Sequence, residues 1–548
     1  MKRHLDNLLI LAVLAFYSLI VIRHFWIYPV PSDQLEYVQS AQWGTTVGGY
    51  WPWLDRVGLG ALLGILAFLP FPTYVTAPFY GFFMSLGSLA LGSYWLKARF
   101  GFGSALFFLT LIIGSFYAYH FATEIYPEPT IVFFLLLSSI CLLEAKGSRA
   151  PRLLFVSGLA LTIAALCKIV VIPLAGLMSL YVFKNYRFMN QWKSFALGII
   201  GGLVFIFGFF TLAYGWSSLI DMFVSFYNWN FKFMLKGTRE VNNIVSYYEL
   251  FVDRGYLPTF IGLFISIGLY KNLSGRFFAT IAWILGGTVC AVYIVGDRSG
   301  ATIPNYMFPM FYFAAMTLAI YWGSILKSMN SLQKTTTTLL VLFALILAWG
   351  MGSKHNAEIY FMTAFHEKAT FLIKALLSIG VFVLAFIPTM LELKAKKLYA
   401  LLALVCIAFF SLLYNGGRAK ERFVGWLHKD ANFYFSQAPF FNRVPEDEFL
   451  VYYSKWNLQD RAGRAAITFI HFFNEKYEIP NGPERQKFAM DLIKEKILVV
   501  RNIQQAQESN KKIIVTDLSD EVIKTFPNSK KLGSFNWEGD QLEILQRP

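Results

Sequence analysis

Three short polar segments and one lone lysine carry the side chains that could do chemistry in this 548-residue chain. The first is Pro31-Ser32-Asp33-Gln34-Leu35-Glu36-Tyr37, where two carboxylates three residues apart share a face once the segment enters a helix. Such carboxylates serve as a general base or bind a cation. Ser32 or Asp33 with Glu36 also satisfies the pattern of a capping box. The second segment is Glu124-Ile125-Tyr126-Pro127-Glu128-Pro129. Pro129 suits a first helical turn, which puts Glu128 at or next to the N-cap, where the helix dipole favours a negative charge. Capping explains this acid equally well, but two acidic turns at one membrane depth can also converge on a substrate or a metal ion. The third is Gly296-Asp297-Arg298-Ser299-Gly300, followed by Pro304-Asn305-Tyr306. The Arg298 guanidinium offers forked donors suited to a phosphate, with pairing to Asp297 or simple snorkelling as the plain alternative. Lys168, isolated in Leu166-Cys167-Lys168-Ile169, is costly at membrane depth unless paired or hydrated; a phosphate or carboxylate contact accounts for it better than snorkelling.

The elements that position these residues follow from composition. The chain is 56% hydrophobic and 15% charged, with a mean hydropathy of +0.50, too little polar surface to cover a soluble fold of this size. Apolar runs of spanning length recur from Leu8 to Tyr414, and only helices satisfy their backbones in hydrocarbon. Leu8–Ile27 follows Met1-Lys2-Arg3 without a small-residue cleavage site and is expected to be a retained helix. Cys141, Cys167, Cys290 and Cys406 all lie in apolar runs and read as core residues. His120, His355 and His366 are scattered without ligand spacing. The net charge of +15 comes from short basic loops between apolar runs, which argues for membrane orientation and against a nucleic-acid partner.

With the N-terminus in the cytoplasm, basic loops at Lys97/Arg99, Lys146/Arg149/Arg152, Lys184/Arg187/Lys193, Lys271/Arg276, Lys327/Lys334 and Lys394/Lys396/Lys397 should all face one side. This parity requires a short re-entrant or interfacial helix within Val57–Pro70. It also requires that Leu153–Phe183 be two helices meeting near Lys168. About thirteen crossings result. Of the acids before Asn415, only Asp6, Glu144 and Glu392 then fall inside, and the rest mark a polar working surface outside. Gly215–Pro258 reads as a long aromatic and basic loop at the headgroup layer, an anchor or a gate. Beyond it, residues 416–548 shorten to strand-length apolar runs. Phe449–Ser454, Ile497–Arg501 and Lys512–Thr516 are predicted strands, and Gly482–Lys496 and Leu518–Phe526 predicted helices, the latter capped by Ser519 or Asp517. The fold class is therefore a polytopic α-helical membrane protein, residues 1–415, with a soluble extracytoplasmic α/β domain, residues 416–548.

The order of these features resembles the GT-C superfamily of integral-membrane glycosyltransferases, in the branch of the dolichyl-phosphate-mannose protein mannosyltransferases and the lipid A aminoarabinose transferase. Asp33 and Tyr37 stand at the spacing of that family's first-loop acid, with Gln34 in place of the usual neighbouring Glu. Trp51-Pro52-Trp53-Leu54 is similar to its Pro-containing outer segment, and Pro127-Glu128 to its second-loop turn. Lys168–Pro173 and Arg298–Pro309 are similar to its later basic segments.

The resemblance implies a GT-C-like fold and inverting transfer of a sugar from a polyprenyl-phosphate donor to a lipid, glycan or protein acceptor on the outer face. It makes Asp33 the general base, with Arg298 and Lys168 on the phosphate, and Glu128 on the acceptor or, together with Asp33, on a divalent cation such as Mg or Mn. Glu36, Tyr37, Glu124, Asp297 and Tyr306 complete the expected substrate-binding set. Some relatives use a metal and others do not. A secondary transporter is the rival class, but it places ionisable groups near the midplane of repeated halves, and no halves repeat here. A polysaccharide polymerase or O-antigen ligase is the rival enzyme and relies on a large late outer loop. Tail cysteines are absent, which suits a bacterial inner membrane.

Overall fold

The computed structural model describes residues 2–25, 56–67, 73–113, 115, 118, 121–122, 126–186, 191–227, 273–296, 307–327, 329, 449–452, 498–500, 502–537 and 540–548. Its helices are α1 (Lys2–Phe25), α2 (Val57–Ala67), α3 (Thr73–Phe100), α4 (Phe102–Ile113), α5 (Pro127–Glu144), α6 (Ala150–Cys167), α7 (Ile172–Tyr186), α8 (Trp192–Tyr214), α9 (Trp216–Tyr227), α10 (Leu273–Gly296) and α11 (Phe308–Lys327). Among the described residues four segments are long and apolar enough to cross a membrane: Pro127–Glu144, Gly147–Cys167, Trp192–Ala213 and Phe308–Lys327. Together with the composition, they make this an integral membrane protein.

A short helix within Val57–Pro70 and a break at Lys168 are both present. The short helix α2 has 11 residues, too few to cross. The Leu153–Phe183 run divides at Lys168 into α6 and α7, with one 3-10 turn, Ile169–Val171, between them. The cause lies in the residues after Lys168. Ile169-Val170-Val171-Ile172 is β-branched throughout, and in an unbroken helix the ring of Pro173 would clash with the carbonyl of Ile169. At Gly215, by contrast, the first part of the predicted loop is helical, and residues 228–258 lie outside the described residues. Gly215 takes a φ of 87°, open to glycine at little cost, and α9 then occupies Trp216–Tyr227. Trp216, Ile220, Phe223 and Val224 recur on one face of α9 and are exposed.

Packing centres on α11, buried along nearly its whole length. Trp322 stacks on Phe107 of α4 at 4.8 Å, and Tyr312 meets Phe108 edge-on at 5.3 Å. The α6–α8 contact is a seam of small residues. A Cβ on Gly158 would run into the carbonyl oxygen of Phe195, and one on Gly198 into that of Phe155, so the two backbones touch. Across the α5–α6 contact, the Ser157 hydroxyl donates to the Ser138 carbonyl at 3.0 Å. On the third side α2 lies against the end of α6. A Cβ on Gly58 would stand 2.9 Å from the Ile163 carbonyl oxygen and 3.0 Å from Cys167 Sγ. Helix α6 is thus packed on three sides, with α2 at its last turn.

One end of the bundle gathers basic residues from loops far apart in sequence. Arg99 Nε donates to Glu144 Oε1 at 2.7 Å, as does Trp95 Nε1 at 2.9 Å. Lys327 Nζ donates to the Arg99 carbonyl at 2.8 Å, and Lys97 reaches Asn7. Tyr186 donates to the Ala145 carbonyl at 3.3 Å. The parity inferred from charge brings these loops to one side, and here they meet.

The C-terminal residues form a five-stranded sheet of β1 (Phe449–Tyr452), β2 (Leu498–Val500), β3 (Ile513–Thr516), β4 (Lys530–Trp537) and β5 (Asp540–Gln546), in the order β2-β1-β3-β5-β4. The first three strands lie where the apolar runs predicted them and pair in parallel, Leu450 with Leu498 and Ile514. The antiparallel β4–β5 hairpin has no counterpart among the predicted elements. Short helices α12 (Ile503–Glu508) and α13 (Ser519–Thr525) pack on the sheet, and Val522 and Ala506 join its core with Leu450 and Ile514. The cap of α13 is Leu518, not Ser519 or Asp517; its N–H is taken by Thr516 Oγ1 at 2.9 Å. Gly482–Lys496 lies outside the described residues.

Candidate active site

At the end of the bundle opposite the Arg99–Glu144 contacts, two of the candidate residues come together. Helix α5 opens with Tyr126 as N-cap in extended conformation and Pro127 at the first helical position, where the missing N–H is no loss. Glu128 is therefore the second residue of the helix, one step further in than its expected place beside the N-cap. Its side chain is 1% exposed, and it caps nothing. Lys168, one residue beyond the end of α6 and in extended conformation, is 3% exposed. Lys168 Nζ donates to Glu128 Oε1 at 2.5 Å.

The pair is favoured by more than its mutual attraction. Glu128 sits in the first turn of α5, where unpaired N–H groups give a partial positive charge, and Lys168 follows the last turn of α6, where unpaired carbonyls give a partial negative one. Glu128 thus occupies the helix end of opposite sign, while Lys168 stands between the end of α6 and the 3-10 turn that opens at Ile169. Two buried charges repay their lost hydration only with good geometry and further hydrogen bonds. Here the account is incomplete on one atom: Glu128 Oε2 is buried and accepts no hydrogen bond among the described residues.

Around the pair the helices are tied by hydroxyls. Tyr80 of α3 and Thr130 of α5 share a hydrogen bond at 2.6 Å, with Thr130 two residues beyond Glu128 on α5. Tyr17 of α1 donates to the Ala118 carbonyl at 2.7 Å. A small cavity beside this layer is lined by Tyr17, Ser85, Ser88, Pro129 and Tyr312. Nothing in the sequence pointed to these tyrosines, because a lone Tyr in an apolar run looks the same whether its hydroxyl is used or not.

Asp33, Glu36, Tyr37, Glu124, Asp297, Arg298 and Tyr306 lie outside the described residues, as do Trp51-Pro52-Trp53 and the three singled-out histidines. Among the described residues, no group of three His, Cys, Asp or Glu side chains stands together as metal ligands would. Glu128, one of the two acids expected to share a divalent cation, already carries an ammonium on Oε1, and a metal on the same carboxylate would face that charge. Asp33, the acid expected to share that cation, lies outside the described residues.

No family model matches the chain, and no curated protein matches it in sequence. The fold does have solved counterparts. ArnT from Cupriavidus metallidurans, in the crystal structure bound to undecaprenyl phosphate, aligns over 98% of this chain and 97% of its own, with a TM-score of 0.54 at 15% identity. The same protein in the apo state aligns over 100% of this chain and 98% of its own, with a TM-score of 0.53 at 15% identity. The chain has the GT-C fold. Shared architecture over nearly the whole of both chains, at so low an identity, means that the GT-C helix arrangement here is built from largely different side chains. In the GT-C fold of this chain, Glu128 and Lys168 are the candidate residues seen to meet.

Proposed function

We propose that this protein is an inverting glycosyltransferase that moves a sugar from a polyprenyl-phosphate carrier to an acceptor on the outer face of a bacterial inner membrane. The observation that carries the proposal is the fold likeness, over nearly the whole chain, to a protein crystallised with undecaprenyl phosphate. The order of the acidic and basic segments in the sequence supports it independently. In this reading the N-terminus is cytoplasmic, residues 1–415 hold the reaction, and residues 416–548 form a domain outside the membrane.

The chemistry follows from the residue types. An acceptor hydroxyl oxygen attacks the anomeric carbon from the face opposite the phosphate. Its proton passes to the Asp33 carboxylate. The bond from the anomeric carbon to the phosphate oxygen breaks, and the electron pair leaves with the polyprenyl phosphate. The product is a glycoside of inverted configuration and a free lipid phosphate. The leaving phosphate needs opposing charge more than a proton, and Arg298 is the side chain suited to supply it.

The test is transfer of labelled sugar from a panel of polyprenyl-phosphate sugars by purified protein in lipid, alongside Asp33→Asn. Activity in the wild type and a loss of at least about 100-fold in the variant are expected for a general base. Unchanged turnover in Asp33→Asn would remove that residue from the mechanism. No transfer and no hydrolysis from any donor, with folded protein, would overturn the reaction itself.

A further inference from the structure

The sequence offers Lys168 as a phosphate ligand, but the structure gives its ammonium another partner. Lys168 Nζ lies 2.5 Å from Glu128 Oε1, with both side chains almost wholly buried. A phosphate drawn to Lys168 would have to approach the Glu128 carboxylate as well, and the two anions repel. Gly58 of α2 stands against the last turn of α6, at the Ile163 carbonyl oxygen and at Cys167, the residue before Lys168. Glu128 retains one buried oxygen, Oε2, with no hydrogen bond among the described residues.

We propose that Lys168 is a positioning residue that holds Glu128 by its Oε1 and leaves Oε2 to receive a hydrogen bond from the acceptor. This rests on the glycosyltransferase reading above and names which substrate the pair serves. Three kinds of group could approach Oε2. A phosphate is repelled by the carboxylate, and a divalent cation faces the ammonium already on Oε1. A neutral hydroxyl meets neither obstacle and satisfies the buried oxygen that is otherwise left unpaired. The acceptor in a glycosyl transfer is such a hydroxyl. Glu128 thereby orients the nucleophile, while removal of its proton stays with the base.

Removing Lys168 alone would leave an uncompensated buried carboxylate that both destabilises the protein and repels phosphate, so the informative variant changes both residues. Glu128→Gln with Lys168→Met replaces a neutral pair of ions by two neutral side chains of similar length. Three quantities are measured on purified protein in lipid nanodiscs: the thermal unfolding midpoint, the affinity for undecaprenyl phosphate, and the steady-state rate in the transfer assay. A midpoint near that of wild type, an affinity within threefold, and a transfer rate lowered at least 100-fold with donor KM unchanged are expected. A fall in undecaprenyl-phosphate affinity of tenfold or more would make Lys168 a phosphate ligand and overturn the assignment. Transfer at the wild-type rate would reduce the pair to a structural contact, which also overturns it. A wild type that neither binds undecaprenyl phosphate nor transfers sugar would sink the glycosyltransferase reading, and this assignment with it.

Discussion

The two ends of the helix bundle each hold a carboxylate paired with a basic side chain, and they use the same chemistry in opposite solvents. At one end Arg99 meets Glu144 with 49% and 26% of the two side chains exposed. At the other, Lys168 meets Glu128 with 3% and 1% exposed. The exposed pair can rearrange with water and other basic residues at little cost, and its sign agrees with the charge bias that orients a membrane protein. The buried pair has no such freedom. Charges out of water there neutralise each other, and Glu128 sits on the helix end that favours it. Burial, and not the presence of an ion pair, distinguishes a site from a surface.

This contrast can be broken in order of effect. Lys168→Met should lower unfolding stability by about 3–5 kcal/mol, since it strands a buried carboxylate. A thermal scan in detergent reads it, and a loss below about 1 kcal/mol would mean that Glu128 is better hydrated than its burial indicates. The combined change of Glu128→Gln with Lys168→Met should come within about 1 kcal/mol of wild type, because the Glu128 charge is removed together with its ammonium. Finding the double variant as unstable as the single one would show that packing, not charge, is what the pair provides. Arg99→Ala at the other end should cost only about 0.2–1 kcal/mol, and less as salt is added. A loss comparable to that of Lys168→Met would erase the distinction between the ends.

How much of this was legible in the chain depends on range. The break at Lys168 was readable because its cause is local: a β-branched run and Pro173 stand next to each other in sequence. The three parallel strands were readable for the same reason, each being a short apolar run such as Ile513–Thr516 between polar neighbours. The β4–β5 hairpin was not, since Lys530–Gln546 mixes Lys, Gly, Asn and Glu with few apolar residues and is defined by its pairing. The same limit applies to the site. Glu128 and Lys168 were each conspicuous as ionisable residues in apolar surroundings, yet no local pattern says that residues forty apart in sequence bond to each other. The pairing is a property of how α5 and α6 pack, through Ser138 and Ser157, and of the seam that holds α6 to α8.

The contact between α2 and the end of α6 also bears on how the protein is made. Where α6 stops at Cys167, its last carbonyls lose their helical partners at a depth where lipid offers none. Gly58 brings the backbone of α2 against that turn. But α2 is synthesised long before α6, and with 11 residues it cannot wait as a spanning helix. Its contact with that turn can form only once α6 has been synthesised. Completion of this corner of the molecule is therefore a late event in biogenesis.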